Sequence, residues 1–154
     1  MTEFSLFGEK LYLSLILDLC SEDLVSYTIS DRPVLSMVTS MLEKAFVTIP
    51  DNTGLILHSD QGWQYQHKQY QRMLGSKGVH QSVSRKGSCL DNAVMENFFG
   101  LLKTELLYLQ DFDSLDHFKA ELIDYLDYYN NHRIKLKLKG LTPAQHRRQT
   151  LQAA

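Results

Sequence analysis

At 154 residues, 44% of them hydrophobic and 22% charged, the chain has the make-up of one ordinary globular domain, which excludes a disordered polymer and leaves little room for a second core. The longest apolar run, around Leu11 to Leu19, is broken by Ser14 and Asp18 and is too short to cross a bilayer as a helix; no basic-then-apolar leader is visible, so a cytoplasmic protein is expected. The net charge of −2 hides an asymmetry: residues 1–60 hold nine acids and three bases, residues 61–90 hold five bases and no acid, and after Asp127 come six bases and no acid.

In chain order, residues 4–7 read as the tail of a strand. Residues 10–19 and 24–30, rich in Leu, Tyr and Ile without helical spacing, read as an antiparallel hairpin across Ser21-Glu22-Asp23. Asp31 is expected to cap a helix in which Val34, Met37, Val38, Met41, Leu42 and Phe46 recur at helical spacing, and which ends before Pro50. Residues 55–60 form a short apolar run ending in polar residues, the pattern of a buried strand that delivers Asp60 at its carboxyl end. A helix over 66–74, a short strand over 79–84 and a loop over 87–90 with Gly87 as its flexible point follow. Two long helices come next, over 91–107 and 114–130, the second burying Leu115, Phe118, Leu122, Tyr125, Leu126 and Tyr129. Thr142-Pro143 has the form of a cap followed by proline at the first helical position, opening a terminal helix.

The chemistry gathers around Asp60 and Glu96. Two acids that converge hold a divalent cation, and the acid-free, basic stretch between Asp60 and Asp91 lets a phosphate approach without added repulsion, so a polyanionic substrate, nucleic acid, is implied. On ideal helix geometry, with Asn92 at zero, Glu96 falls at about 40° and Lys103 at about 20°, while Val94, Phe98 and Leu101 fall at roughly 180° to 240°. A carboxylate, a lysine and an amide on one edge have the means to hold a metal, meet a phosphate and touch a base or sugar. A plain solvated face gives the same stripe. Arg85 and Lys86, in the loop before Glu96, are placed to close on a nucleic-acid backbone.

Other residues have two readings each. His58 and His67 suggest a metal pair, but polar packing or a hydrogen bond fits them better. Trp63, Tyr65 and Tyr70 either stack on unpaired bases or fill a core. Arg133, Lys135, Lys137 and Lys139 alternate with Ile134, Leu136 and Leu138, as a cationic surface or a lysine-guarded strand edge would. Cys20 and Cys89 lack the paired spacing of a zinc or redox motif and are expected as free thiols.

Three blocks carry a resemblance: His58-Ser59-Asp60-Gln61-Gly62-x-Gln64-Tyr65; Ser82-x-Ser84-x-x-Gly87-x-x-x-Asp91-Asn92-Ala93-x-x-Glu96-x-Phe98-Phe99-x-x-Leu102-Lys103-x-Glu105; and Tyr128-Tyr129-Asn130-Asn131-x-Arg133. With Leu141-Thr142-Pro143, they resemble bacterial insertion-sequence transposases of the integrase superfamily, which includes the retroviral integrases. The resemblance implies an α/β, ribonuclease-H-like fold, a mixed β-sheet flanked by helices, with its first strand truncated. It implies one integrase-type catalytic core over residues 1–154, with a basic extension from about residue 131. It implies DNA cleavage and strand transfer by DDE-type phosphoryl transfer with two Mg2+ or Mn2+ ions, Asp60 and Glu96 being catalytic metal ligands, on transposon ends and target DNA within a homo-oligomer. Lys103 matches the family's phosphate-facing lysine; Asn92, Arg85 and Lys86 are the further expected DNA contacts.

The family's first catalytic Asp usually stands in Thr-Asp-x-Thr on the first strand. Here the sequence opens Met1-Thr2-Glu3-Phe4, with Thr2 at the second threonine, so that carboxylate is expected just upstream and the 154-residue chain alone is expected to be inactive or nearly so. Asp18, in Leu-Asp-Leu, is expected to close a strand end rather than replace it. Glu22 stands where the family usually has Arg after Ser21. Two alternatives stay open: a catalytically silent DNA-binding or self-association module, and a ribonuclease-H-like nuclease acting on RNA hybrids.

Overall fold

The computed structural model describes residues 1–83 and 93–153. Three strands, β1 (Thr2–Leu6), β2 (Glu9–Leu17) and β3 (Leu24–Ser30), form an antiparallel meander in that order. The first hairpin begins with Thr2 opposite Leu13 and closes with Leu6 opposite Glu9. Phe7 and Gly8 between them both adopt positive φ, 56° and 73°, the two-residue turn geometry that matches strand twist. The strand whose tail was expected over 4–7 runs from Thr2 to Leu6, Phe7 belonging to the turn.

Side chains alternate across β2, and each face meets its own helical layer. Leu11, Leu13 and Leu15 join Phe4 in a core closed by Phe98 and Leu102 of α4 (Ala93–Leu102) and by Phe118, Leu122 and Leu126 of α5 (Leu115–Asn131). On the other face, Ile16 packs with Val38, Met41 and Leu42 of α1 (Leu35–Phe46). Tyr70 and Leu74 of α3 (Lys68–Lys77) belong to the same core. Ser14, on that second face, donates to the Met41 sulfur at 3.2 Å. Beside the meander, β4 (Ile56–Ser59) pairs in parallel with β5 (His80–Val83) across a crossover containing α2 (Trp63–Gln66) and α3. The architecture is α/β with both strand senses, in two separate ladders.

Several expected boundaries move for local reasons. Asp31 does not cap α1; the cap position is Val34, extended and without a side-chain bond, and Ser30 Oγ closes the preceding turn by accepting from the Arg32 amide at 3.1 Å. The expected helix over 66–74 is two helices, because His67 is extended (φ −69°, ψ 139°) and its Nδ1 accepts from the Gln69 amide at 3.2 Å to start α3. That helix stops at Gly78, φ 78°, where an added Cβ would lie 2.5 Å from Asn52 Oδ1; only glycine suits the site. Ser114 caps α5 by accepting from the His117 amide at 3.0 Å. Thr142 and Gln145 form a reciprocal capping box that opens α6 (Pro143–Ala153).

The expected helix over 91–107 changes winding. Beyond Leu102 a π turn covers Lys103–Leu107, with the Tyr108 amide donating to the Lys103 carbonyl at 2.9 Å. The buried residues Phe98, Leu102 and Leu106 recur every four positions, more than the 3.6 of an α-helix, and the wider turn returns Leu106 to the core. Val94 and Leu101, expected at the centre of the apolar face, are only half-buried. Among the described residues, no helix is long and apolar enough to cross a membrane.

Candidate active site

Asp60 directly follows β4, at the carboxyl end of a strand in a parallel pair, and is exposed. Its Oδ1 accepts from the Gly62 amide at 2.7 Å, which fixes one carboxylate oxygen in the turn. A Cβ on Gly62 would lie 3.0 Å from that oxygen and 3.2 Å from the Tyr65 ring, so the turn favours glycine. Oδ2 makes no hydrogen bond to a described residue. Burial pushes the Met1 amino group below its ordinary value while the Asp60 charge pulls it up, so the start of β1 and the end of β4 share one electrostatic neighbourhood. Met1 and Leu57 also pack against the same core.

Glu96 lies in the first turn of α4 and is exposed, while Phe98 and Leu102 of that helix bury against the core that contains Phe4. Asp60 thus follows a strand whose Leu57 packs on the core of Val38, Met41 and Leu42, and Glu96 stands on a helix whose Phe98 and Leu102 join the core on the other face of β2. Lys103, half-buried, is the first residue of the π turn, so the ideal-helix projection holds only as far as Leu102. Among the described residues, no three Asp, Glu, His or Cys side chains come together as a metal-ligating group. Arg85, Lys86, Cys89 and Asn92 lie outside the described residues.

The remaining expectations divide cleanly. Asp18 closes a strand end, its Oδ1 accepting from the Cys20 and Ser21 amides at 2.8 and 3.1 Å. His58 Nδ1 pairs with Ser82 Oγ at 3.0 Å, and His67 is a helix cap. Tyr65 and Tyr70 are core residues, whereas Trp63 is 56% exposed. Cys20 is a free, exposed thiol.

The C-terminal basic block is largely neutralised. Lys135 and Lys137 both hydrogen-bond Glu22, whose side chain is only 7% exposed. Arg147 pairs with the buried Asp23 at 2.9 Å, and Arg133 grips Glu105 through Nε and a terminal nitrogen at 2.8 to 3.1 Å. Tyr129 donates to the Glu22 carbonyl at 3.0 Å, and the Asn130 amide accepts from the Leu24 N–H at 2.8 Å. Burial opposes ionisation of Glu22, but its two lysines outweigh this and hold it below the usual glutamate value. For Asp23 burial prevails over Arg147 and raises the carboxyl. These residues escaped the sequence reading: the Glu22 partners are 113 and 115 positions away, and no spacing signals them. A shallow cleft of about 410 Å³ beside α4, lined by Glu22, Asn97, Leu101 and the segment 133–137, contains neither Asp60 nor Glu96.

Comparison with known proteins bears directly on this arrangement. An integrase core domain model matches residues 1–89, which include Asp60, and a second integrase core domain model matches residues 96–151, which begin at Glu96. The chain belongs to the integrase core domain family. It is 51% identical over 150 residues to the putative transposase InsK for insertion sequence element IS150 of Escherichia coli K12, covering 97% of this chain and 53% of that protein. It is 44% identical over 151 residues to an uncharacterized transposase-like protein of Haemophilus influenzae, covering 98% and 69%. The chain thus spans about half the length of InsK. Among solved structures, the catalytic core domain of BIV integrase superposes with a TM-score of 0.72 at 17% identity, over 99% of this chain and 94% of that one. The HTLV-2 integrase catalytic core domain, solved in complex with magnesium in a trimeric form, gives 0.70 at 17% identity, over 94% and 89%. The fold is that of an integrase catalytic core, ribonuclease-H-like, as the sequence motifs imply.

Proposed function

We propose that this chain is the catalytic core of an insertion-sequence transposase, which cleaves and joins DNA by phosphoryl transfer, with Asp60 and Glu96 as two of its metal-binding carboxylates. What supports this is that the integrase core domain models match residues 1–89 and 96–151, with Asp60 exposed at the carboxyl end of a parallel strand and Glu96 exposed in the first turn of a helix. Two exposed carboxylates are hard oxygen donors and fit Mg2+ or Mn2+ in kind. Bound there, such ions supply Lewis-acid polarisation of the phosphodiester and an activated water or hydroxyl. The Gly62 amide holds Asp60 in one orientation and leaves Oδ2 for the ion. Lys103, Asn92, Arg85 and Lys86 are the proposed phosphate and base contacts, and the partners are transposon-end and target DNA and further copies of the chain.

The test is Mn2+ binding followed by electron paramagnetic resonance. D60N and E96Q are each expected to weaken it by at least about 10-fold, since even residues that only support metal ligands have effects of that size. Unchanged binding in both variants contradicts the proposal. A second reading is a catalytically silent DNA-binding or self-associating module; duplex binding that is indifferent to metal would support it.

A further inference from the structure

Apolar packing fixes how deep a helix sits but tolerates rolling and sliding, whereas a two-pronged ion pair has a direction. The packing residues of the Glu96 helix and its π turn are Met95, Phe98, Phe99, Leu102, Leu106 and Leu107, all apolar. Among the described residues, the one side chain between 93 and 107 that bonds another element is Glu105. Its carboxylate accepts from Arg133 Nε at 2.8 and 3.1 Å, from an Arg133 terminal nitrogen at 3.0 Å and from the Tyr125 hydroxyl at 2.8 Å. Tyr125 belongs to α5 and Arg133 to the segment just after it, so the clamp ties the end of the Glu96 helix to the next structural layer. It also sits inside the π turn, where the backbone winding departs from the rest of the helix.

We infer that Glu105, with Arg133 and Tyr125, is a positioning device that sets the roll of the helix carrying Glu96 and thereby the direction of the Glu96 carboxylate. A side-chain group lies about 6 Å from a helix axis, so a roll of about 20° carries the carboxylate about 2 Å. Displacements of about 1 Å are enough to cost a reaction that depends on oriented groups some 100-fold. The structural inference stands on the clamp alone; its consequence for catalysis rests on the metal-site reading above.

The experiment places nitroxide labels at E96C and at V47C, an 85% exposed position that caps the C-terminal end of α1, in a chain carrying C20S and C89S. The distance distribution between labels is measured in the parent, E105Q and R133K, with K137Q as an ion-pair control elsewhere. E105Q and R133K are expected to shift or broaden the distribution by about 2 Å or more, as the roll estimate gives, while K137Q leaves it unchanged. A clamp that only stabilises would lower the melting temperature without moving the distribution, and that result overturns the inference. Should E105Q fail to fold, R133K keeps the charge while removing the fork and decides the question alone. Unaltered Mn2+ binding in D60N and E96Q would sink the metal-site reading separately, because the label distances do not depend on metal.

Discussion

Glu22 provides the most searching test of the energetics, because three effects meet at one residue and can be separated. It is buried in the turn after β2, it takes positive φ of 58°, and it carries both Lys135 and Lys137. Truncation in E22A leaves Lys135, whose side chain is only 9% exposed, without its counter-charge. Removing one partner of a buried pair costs about 3 to 5 kcal/mol. Lys135 keeps a 2.9 Å bond to the Tyr129 hydroxyl and lies 4.7 Å from that ring's centroid, which places the loss at the lower end, about 3 kcal/mol. For a domain of this size that is a drop of about 6 to 12 °C in Tm. E22G loses the same carboxylate but relieves the left-handed backbone, so it should recover about 1 kcal/mol relative to E22A. K137A, whose side chain is 74% exposed, should cost less than about 1 kcal/mol. Urea unfolding followed by far-ultraviolet circular dichroism measures all three. An E22A loss below about 1 kcal/mol, or E22G no better than E22A, would refute the reasoning that a buried carboxylate anchors the C-terminal segment.

Acid titration separates neighbouring carboxylates by sign. Glu22 and Glu105 are held below the usual 4.5, so the stability they add is complete above that value and is lost as pH falls through their lower folded-state values; E22Q and E105Q should flatten the acid limb of the stability curve. Burial raises Asp23 above 3.8, so protonation favours the folded state as pH falls through its folded-state value; D23N should remove that component from the pH dependence of stability. If Arg85, Lys86 and Lys103 each meet a phosphate, R85Q, K86Q and K103Q should each reduce the salt slope of duplex binding by about 0.9, and an unchanged slope removes that residue from the interface. G78A combines φ 78° with a 2.5 Å approach to Asn52 and should cost about 2 kcal/mol or more in thermal unfolding.

What the sequence made legible was local. The hairpin over β2 and β3, the Ser114 start of α5 and the Thr142 cap follow from alternation, helical spacing and side chains that reach only three residues along the chain. Asp60 was legible as the residue at a strand's end, and Glu96 as the acid on the polar edge of a helix. Where the reading failed, a competing contact decided the outcome. His67 broke one expected helix in two by offering its own ring nitrogen as a cap, and a π turn beyond Leu102 keeps Leu106 in the same core as Leu102. The basic C-terminal block read as a cationic surface or a lysine-guarded strand edge because Glu22, Asp23 and Glu105, which occupy four of its six cations, are remote in sequence. Ion pairs between distant segments leave no periodic trace, so charge runs alone overstate how much cationic surface remains for a ligand.

The central claim is that Asp60 and Glu96 share a cation. Anomalous scattering from crystals soaked in Mn2+ tests it most directly: the account predicts one peak bonded to a carboxylate oxygen of each residue, at about the 2.1 Å expected of a small hard dication. Carboxylates that face apart across packed side chains, with no peak between them in the soaked crystals, would contradict it.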